Sequence, residues 1–210
     1  MAEVSSSKEN ILKKIKKALG TPVPLPFPQS EGTQTVFKLA QDDDAIVFAE
    51  AFTNLQGKFA FCVNEQDLQQ QLQQLFKSQG WTKIFCVENE YIRLLDKLTI
   101  QPYNNLAESE VSITGCEYLV ARTGSIVMSA AQQSGRTTSV YAPIHICIAY
   151  NSQLVFDVKD ALVFLKEKYK NNFPSFITFA TGPSRTADIE KTLVTGVHGP
   201  KEVYCFLVEN

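Results

Sequence analysis

Apolar positions along the chain change their spacing several times, and each change marks an element. Over residues 6–19, Ile11, Leu12, Ile15, Ala18 and Leu19 fall on one helical stripe, Ser6 and Glu9 fit a capping box, and Gly20 closes the segment. Five lysines (Lys8, Lys13, Lys14, Lys16, Lys17) give it a basic, solvated face. Pro22, Pro24, Pro26 and Pro28 then alternate, which blocks helix and leaves an extended strap. Residues 1–35 therefore read as a terminal helix and strap, and residues 36–210 as one α/β domain. Within it, Asp42, Asp43 and Asp44 open a helix over 45–55. A strand over 58–63, a helix over 66–79 closed by Gly80, a strand over 83–87 and a helix over 91–97 follow. Leu68, Leu72, Leu75 and Phe76 keep helical spacing through the glutamine run 69–74, so the glutamines form a solvated helix face.

From residue 111 the texture changes. Strand patterns crowd together over 117–121, 125–129, 139–142, 144–150 and 154–156, separated by Thr123-Gly124, Ser134-Gly135 and Asn151-Ser152. Connections this short hold no crossover helix, so some neighbouring strands must pair antiparallel. The α/β rhythm then resumes with a helix over 158–169, a strand over 175–181, a helix over 188–194 and a closing strand over 203–208. The expected fold is a three-layer α/β/α domain with a mixed sheet.

Composition narrows the function classes. Hydrophobic residues are 44% and charged residues 20% of 210, as in a globular chain with a real core. Lys and Arg number 20 against 22 Asp and Glu, a net charge of −2, which supplies no cationic field for nucleic acid. No apolar run approaches the ~18 residues of a membrane span, and the N-terminus lacks the order of a secretion signal, so a cytoplasmic protein is expected. The five cysteines, Cys62, Cys86, Cys116, Cys147 and Cys205, form no close pair. They match neither a zinc knuckle nor a cluster-binding run and read as core residues.

Four polar clusters sit where strands give way to turns. In 181–190, Gly182, Pro183, Ser184, Arg185, Thr186, Asp188 and Glu190 follow an apolar strand. If a helix begins there, its free N–H groups and dipole would attract a carboxylate or phosphate at the carboxyl ends of the strands. The same residues equally serve as helix caps. Gly196-Val197-His198-Gly199-Pro200 gives an imidazole the backbone latitude to face a cleft. Ala142-Pro143-Ile144-His145 puts the other histidine at the head of an apolar strand, and Arg122-Thr123-Gly124-Ser125 makes a tight hydroxyl-bearing turn.

Taken in order, these residues resemble the LUD domain family, also known as the YkgG or lactate-utilisation protein C family. The resemblance is carried by Thr123-Gly124-Ser125-Ile126-Val127, Gly135-Arg136, Pro143-Ile144-His145, Asp157, the stretch 181–190 and the stretch 196–200. It implies a fold similar to the NagB/RpiA/CoA-transferase-like group and a part in oxidising L-lactate to pyruvate beside two partner proteins that carry iron-sulfur and ferredoxin-like modules. No cofactor is expected on this chain itself, since it lacks cluster-binding cysteine runs and dinucleotide or flavin fingerprints. Where many relatives have an acidic residue before the Thr-Gly turn, this chain has Arg122. His198 and His145 are then the candidate catalytic residues. Thr123, Gly124, Ser125, Gly182, Pro183, Ser184, Arg185, Thr186, Asp188, Glu190 and Gly199 are candidates for holding a small carboxylate. A homo-oligomer is compatible with the sequence. The competing reading is a non-catalytic scaffold or anion-sensing subunit, because fold kinship alone confers no activity. An isomerase or acyl-CoA enzyme is the weakest, for want of an assignable Glu nucleophile or isomerase base.

Overall fold

The computed structural model describes residues 13, 14, 17, 43–189 and 192–209. The chain divides into the units Met1–Leu39 and Ala40–Asn210. Of the first, only Lys13, Lys14 and Lys17 are described, and they are helical. The rest of the expected terminal helix, the proline strap and Glu190 lie outside the described residues.

Capping and apolar spacing explain the first elements. Helix α1 (Asp44–Asn54) starts where the Asp43 carboxylate accepts the Ala45 amide at 2.9 Å, and it buries Phe48 and Phe52 with rings stacked 5.4 Å apart. Strand β1 (Lys58–Cys62) follows. Helix α2 (Glu65–Gln79) is capped by Asn64, ends at Gly80 with φ 69°, and buries Leu68, Leu72 and Phe76 while Gln70, Gln73 and Gln74 stay in water. Then come β2 (Ile84–Phe85), α3 (Asn89–Lys97) and β3 (Val111–Thr114). The crowded middle gives β4 (Tyr118–Val120), β5 (Ser125–Ser129), α4 (Thr138–Tyr141), β6 (Ile144–Tyr150) and β7 (Leu154–Val155). Helix α5 (Val158–Tyr169), β8 (Ile177–Ala180), β9 (Arg185–Ile189), β10 (Thr192–Thr195) and β11 (Glu202–Val208) complete the unit.

The central sheet is parallel throughout, in the order β1-β11-β6-β3-β2. Strands β6 and β11 pair from Ile144↔Glu202 to Tyr150↔Val208 and are apolar on both faces, as a doubly covered sheet requires. Ile146, Ile148, Tyr204, Phe206 and Val208 pack with the apolar sides of α2 and α3. Cys147, Ala149, Val203, Cys205 and Leu207 pack with α1 and with residues of β4 and β5. The antiparallel pairs demanded by the short turns belong to a second sheet, β7-β4-β5-β8, whose Val120, Val127 and Val155 pack with Ala161 and Leu165 of α5.

Two expected elements differ. Residues 139–142 do not form a strand; Thr138–Tyr141 is one helical turn, held because the Val140 and Tyr141 amides donate to the Thr137 carbonyl and Thr138 Oγ1 to that of Ser134. Local hydrogen bonding here overrides the β-branched and aromatic composition. Residues 188–194 are not a helix either: β9 and β10 form an antiparallel hairpin, with Val194 opposite Thr186 and Thr195 opposite Arg185. The Ser184 amide donates to the Pro200 carbonyl and its carbonyl accepts the Gly196 amide, both at 2.9 Å, so the chain leaves the turn already paired.

Candidate functional site

His145 is the second residue of β6 and points to the side of the sheet covered by α1 and the second sheet. Its Nε2 lies 2.8 Å from Thr114 Oγ1 at the end of the neighbouring β3. Thr114 has one hydroxyl proton, which it donates to the Gly115 carbonyl at 2.9 Å, so its oxygen accepts from Nε2–H. That assignment leaves Nδ1 with a free lone pair, and no described residue hydrogen-bonds to it. The ring is 1% exposed, and desolvation lowers its pKa from 6.5 to about 4, so it is neutral at physiological pH.

Two loops close over this ring. The 181–184 turn and the 196–200 loop are joined through the Ser184 backbone bonds to Pro200 and Gly196. Gly199 sits so close to Ser184 that a Cβ there would lie 2.9 Å from the serine Cβ. The result is a cleft of about 270 Å³ whose walls include Ser139, His145, Thr178, Ser184, His198 and Val203. Gly182, Pro183 and Gly199 line it as well. The two imidazoles, the 182–184 turn and Gly199 thus meet at one cleft.

Thr123, Gly124, Ser125, Arg185 and Thr186 do not line it. Thr123, Gly124 and Ser125 form the turn between β4 and β5: the two hydroxyls bond at 2.7 Å, and Gly124, with φ 59°, leaves no room for a Cβ, which would sit 2.6 Å from the Phe52 amide nitrogen. Glycine is needed there by both criteria. The Arg185 guanidinium donates to the Leu55 carbonyl just past the end of α1, a partner that suits the helix dipole. Thr186 and Asp188 belong to β9, while Arg122 binds Asp157 at 2.7 Å and so fixes the N-cap of α5.

The cleft also departs from the expected position and chemistry. His145 and Val203 stand at the amino ends of β6 and β11, so the carboxyl-end placement fails for the central sheet and holds only for β8, which leads into the 181–184 turn. That turn feeds a strand, so it presents no helix N-terminus to a ligand. Among the described lining residues there is no Lys or Arg. Sequence reasoning missed Ser139, Thr178 and Thr114. Ser139 lies near the Pro-Ile-His segment in sequence, but nothing local couples Thr114 to His145. Among the described residues no three His, Cys, Asp or Glu side chains are placed to hold a metal ion. Cys116 is buried with its pKa pushed up by a thiol hydrogen bond to Cys147 and by desolvation, which makes it a poor nucleophile.

Because His145 is neutral in the fold but has an ordinary pKa of 6.5 when unfolded, the unfolded chain alone takes up its proton between about pH 6.5 and pH 4. Stability is therefore lost as pH falls through that window, by at most about 3 kcal/mol. Carboxylates held low, such as Asp157 beside Arg122, give up their contribution only as pH falls through the carboxylate range. Urea unfolding at pH 7 and pH 5 should show the loss in the wild type and a flatter dependence in His145→Gln. An unchanged slope in the variant would refute the assignment.

The family model for the LUD domain matches residues 89–208. The chain is 33% identical over 105 residues to "Lactate utilization protein C" of Bacillus licheniformis, and 34% identical over 105 residues to the protein of the same name from Bacillus subtilis. Each alignment covers 49% of this chain and 44% of the relative, so the matched stretch spans under half of those proteins. Against "Lactate utilization protein C" of Anoxybacillus flavithermus the identity is 28% over 222 residues, covering 96% of this chain and 99% of that one. A crystal structure of a DUF162 family protein from Deinococcus radiodurans superposes with a TM-score of 0.61 at 16% identity, covering 81% of this chain and 99% of that chain, which shows a shared fold.

Proposed function

The chain belongs to the LUD domain family, and from that premise we propose that it serves lactate utilisation as the substrate-binding subunit of an L-lactate-oxidising system. The meeting of His145, Ser184 and His198 at one cleft carries this reading, with support from the names of the relatives. Oxidation of L-lactate to pyruvate removes two electrons and two protons. His198 is the solvent-reached imidazole of the pair and takes the hydroxyl proton. His145, whose proton affinity is depressed by burial, acts as a neutral hydrogen-bonding wall and not as the base. The hydrogen on the alpha carbon leaves with both electrons, as a hydride equivalent, to a two-electron acceptor on the partner subunits, from which the electrons pass singly to their iron-sulfur centres.

Thermal unfolding in the presence of L-lactate, pyruvate, phosphate and sugar phosphates tests the binding step. A ligand at 100 times its Kd stabilises by about 2.7 kcal/mol, which for a chain of this size raises Tm by roughly 5–10 °C. The expected result is a rise with lactate and pyruvate. No rise with either would overturn the substrate assignment.

A further inference from the structure

The cleft with the two imidazoles is lined by hydroxyls, apolar groups and an uncharged His145, with no cation among its described residues. A carboxylate placed wholly inside would lose hydration without gaining a counter-charge. Arg185, which directly follows the lining residue Ser184, is engaged at the Leu55 carbonyl.

A second hollow of about 380 Å³ adjoins the cleft and shares Val140, His198 and Gly199 with it. Its remaining walls include Tyr141, Val197 and Lys201. Lys201 is held at its backbone, where its amide donates to the Pro143 carbonyl at 2.7 Å. Its stem lies against Gly196, whose φ of 78° and lack of a side chain make room for it. No carboxylate among the described residues pairs with its ammonium. Two cavities thus meet at His198, a neutral one inside and, outside it, one with a cation for which the described residues supply no carboxylate partner.

We infer that Lys201 supplies the counter-charge for the ligand's carboxylate, so that the ligand lies across His198 with its charged end in the outer hollow and its body in the inner cleft. This rests on the proposed reading of the cleft as a substrate site and adds the residue that selects an acid over its neutral analogue. It also places the hydroxyl of a 2-hydroxy acid, one bond from the carboxylate-bearing carbon, beside the His198 ring.

Calorimetric titration of wild type, Lys201→Met and Lys201→Arg with L-lactate, lactamide and inorganic phosphate decides the matter. Lactate binding is expected to weaken about tenfold in Lys201→Met, as for loss of one charge-assisted hydrogen bond, and to recover in Lys201→Arg. Lactamide, which has no charge, should bind all three alike, a result that a damaged fold would not give. Equal lactate affinity in wild type and Lys201→Met would overturn the inference while leaving the substrate reading intact. Phosphate binding that depends on Lys201, with no lactate binding, would uphold the anion site and overturn lactate as its ligand. Wild type that binds none of the three would overturn both.

Discussion

Replacing His198 with alanine is expected to lower lactate turnover of the chain, reconstituted with its iron-sulfur partners and an electron-acceptor dye, by about 10²–10⁴-fold, the usual contribution of a positioned general base. Of the two cleft imidazoles, His198 is exposed and stands at the boundary of both hollows. His145 has its Nε2–H committed to Thr114 and binds protons too weakly for the task. The fall should lie in kcat, because lactate still finds the inner hydroxyls and Lys201. In Ser184→Ala the loss should be smaller and shared with KM, since that side chain lines the cleft without an acid-base role. Turnover unchanged in His198→Ala would remove the catalytic assignment and favour a subunit that binds an anion without transforming it.

Glu117→Ala is expected to cost about 3 kcal/mol of stability, although this residue does not line the cleft. Glu117 is only 2% exposed, and its carboxylate accepts from Ser129 Oγ, from Tyr169 OH at 2.7 Å and from Lys168 Nζ at 2.8 Å. It thereby ties the second sheet to the last turn of α5. Burial alone would raise its pKa, but the hydrogen bonds from Lys168, Ser129 and Tyr169 outweigh it and hold the pKa below the ordinary value. Removing one partner from a buried ionic network costs about 3–5 kcal/mol, and the lower end applies because Lys168 is half exposed and rehydrates. Glu117→Gln should fall between the two, as the amide keeps some of the bonds. Urea unfolding would show the midpoint shift at unchanged slope; a loss below about 1 kcal/mol would mean the network is not cohesive.

The elements most open to sequence reading are those whose signal is local. The glutamine-rich helix α2 follows from Leu68, Leu72 and Phe76 on one stripe between Asn64 and Gly80. Strand β6 follows from an apolar run broken only by His145, and the helix opening at Val158 from its Asp157 cap. Residues 139–142 and 188–194 were misread for a physical reason. Their composition allows more than one conformation, and the choice is made by bonds to Ser134, Thr137, Pro200 and the facing strand.

Sequence by itself determined that the chain is an α/β domain with a solvated glutamine face and that short turns force antiparallel pairs, and it offered His145, His198, the 182–184 turn and the 123–125 turn as candidates for one site, the last of which stands apart from the cleft. Only the tertiary structure decided which polar residues reach the cleft. Thr114 meets His145 across 31 positions, and Arg185 meets Leu55 across 130, so each partner is chosen by strand register and helix packing and leaves no periodic trace. Arg185 was thereby committed to a carbonyl, and Lys201, unremarkable in the sequence, came to stand beside the histidine.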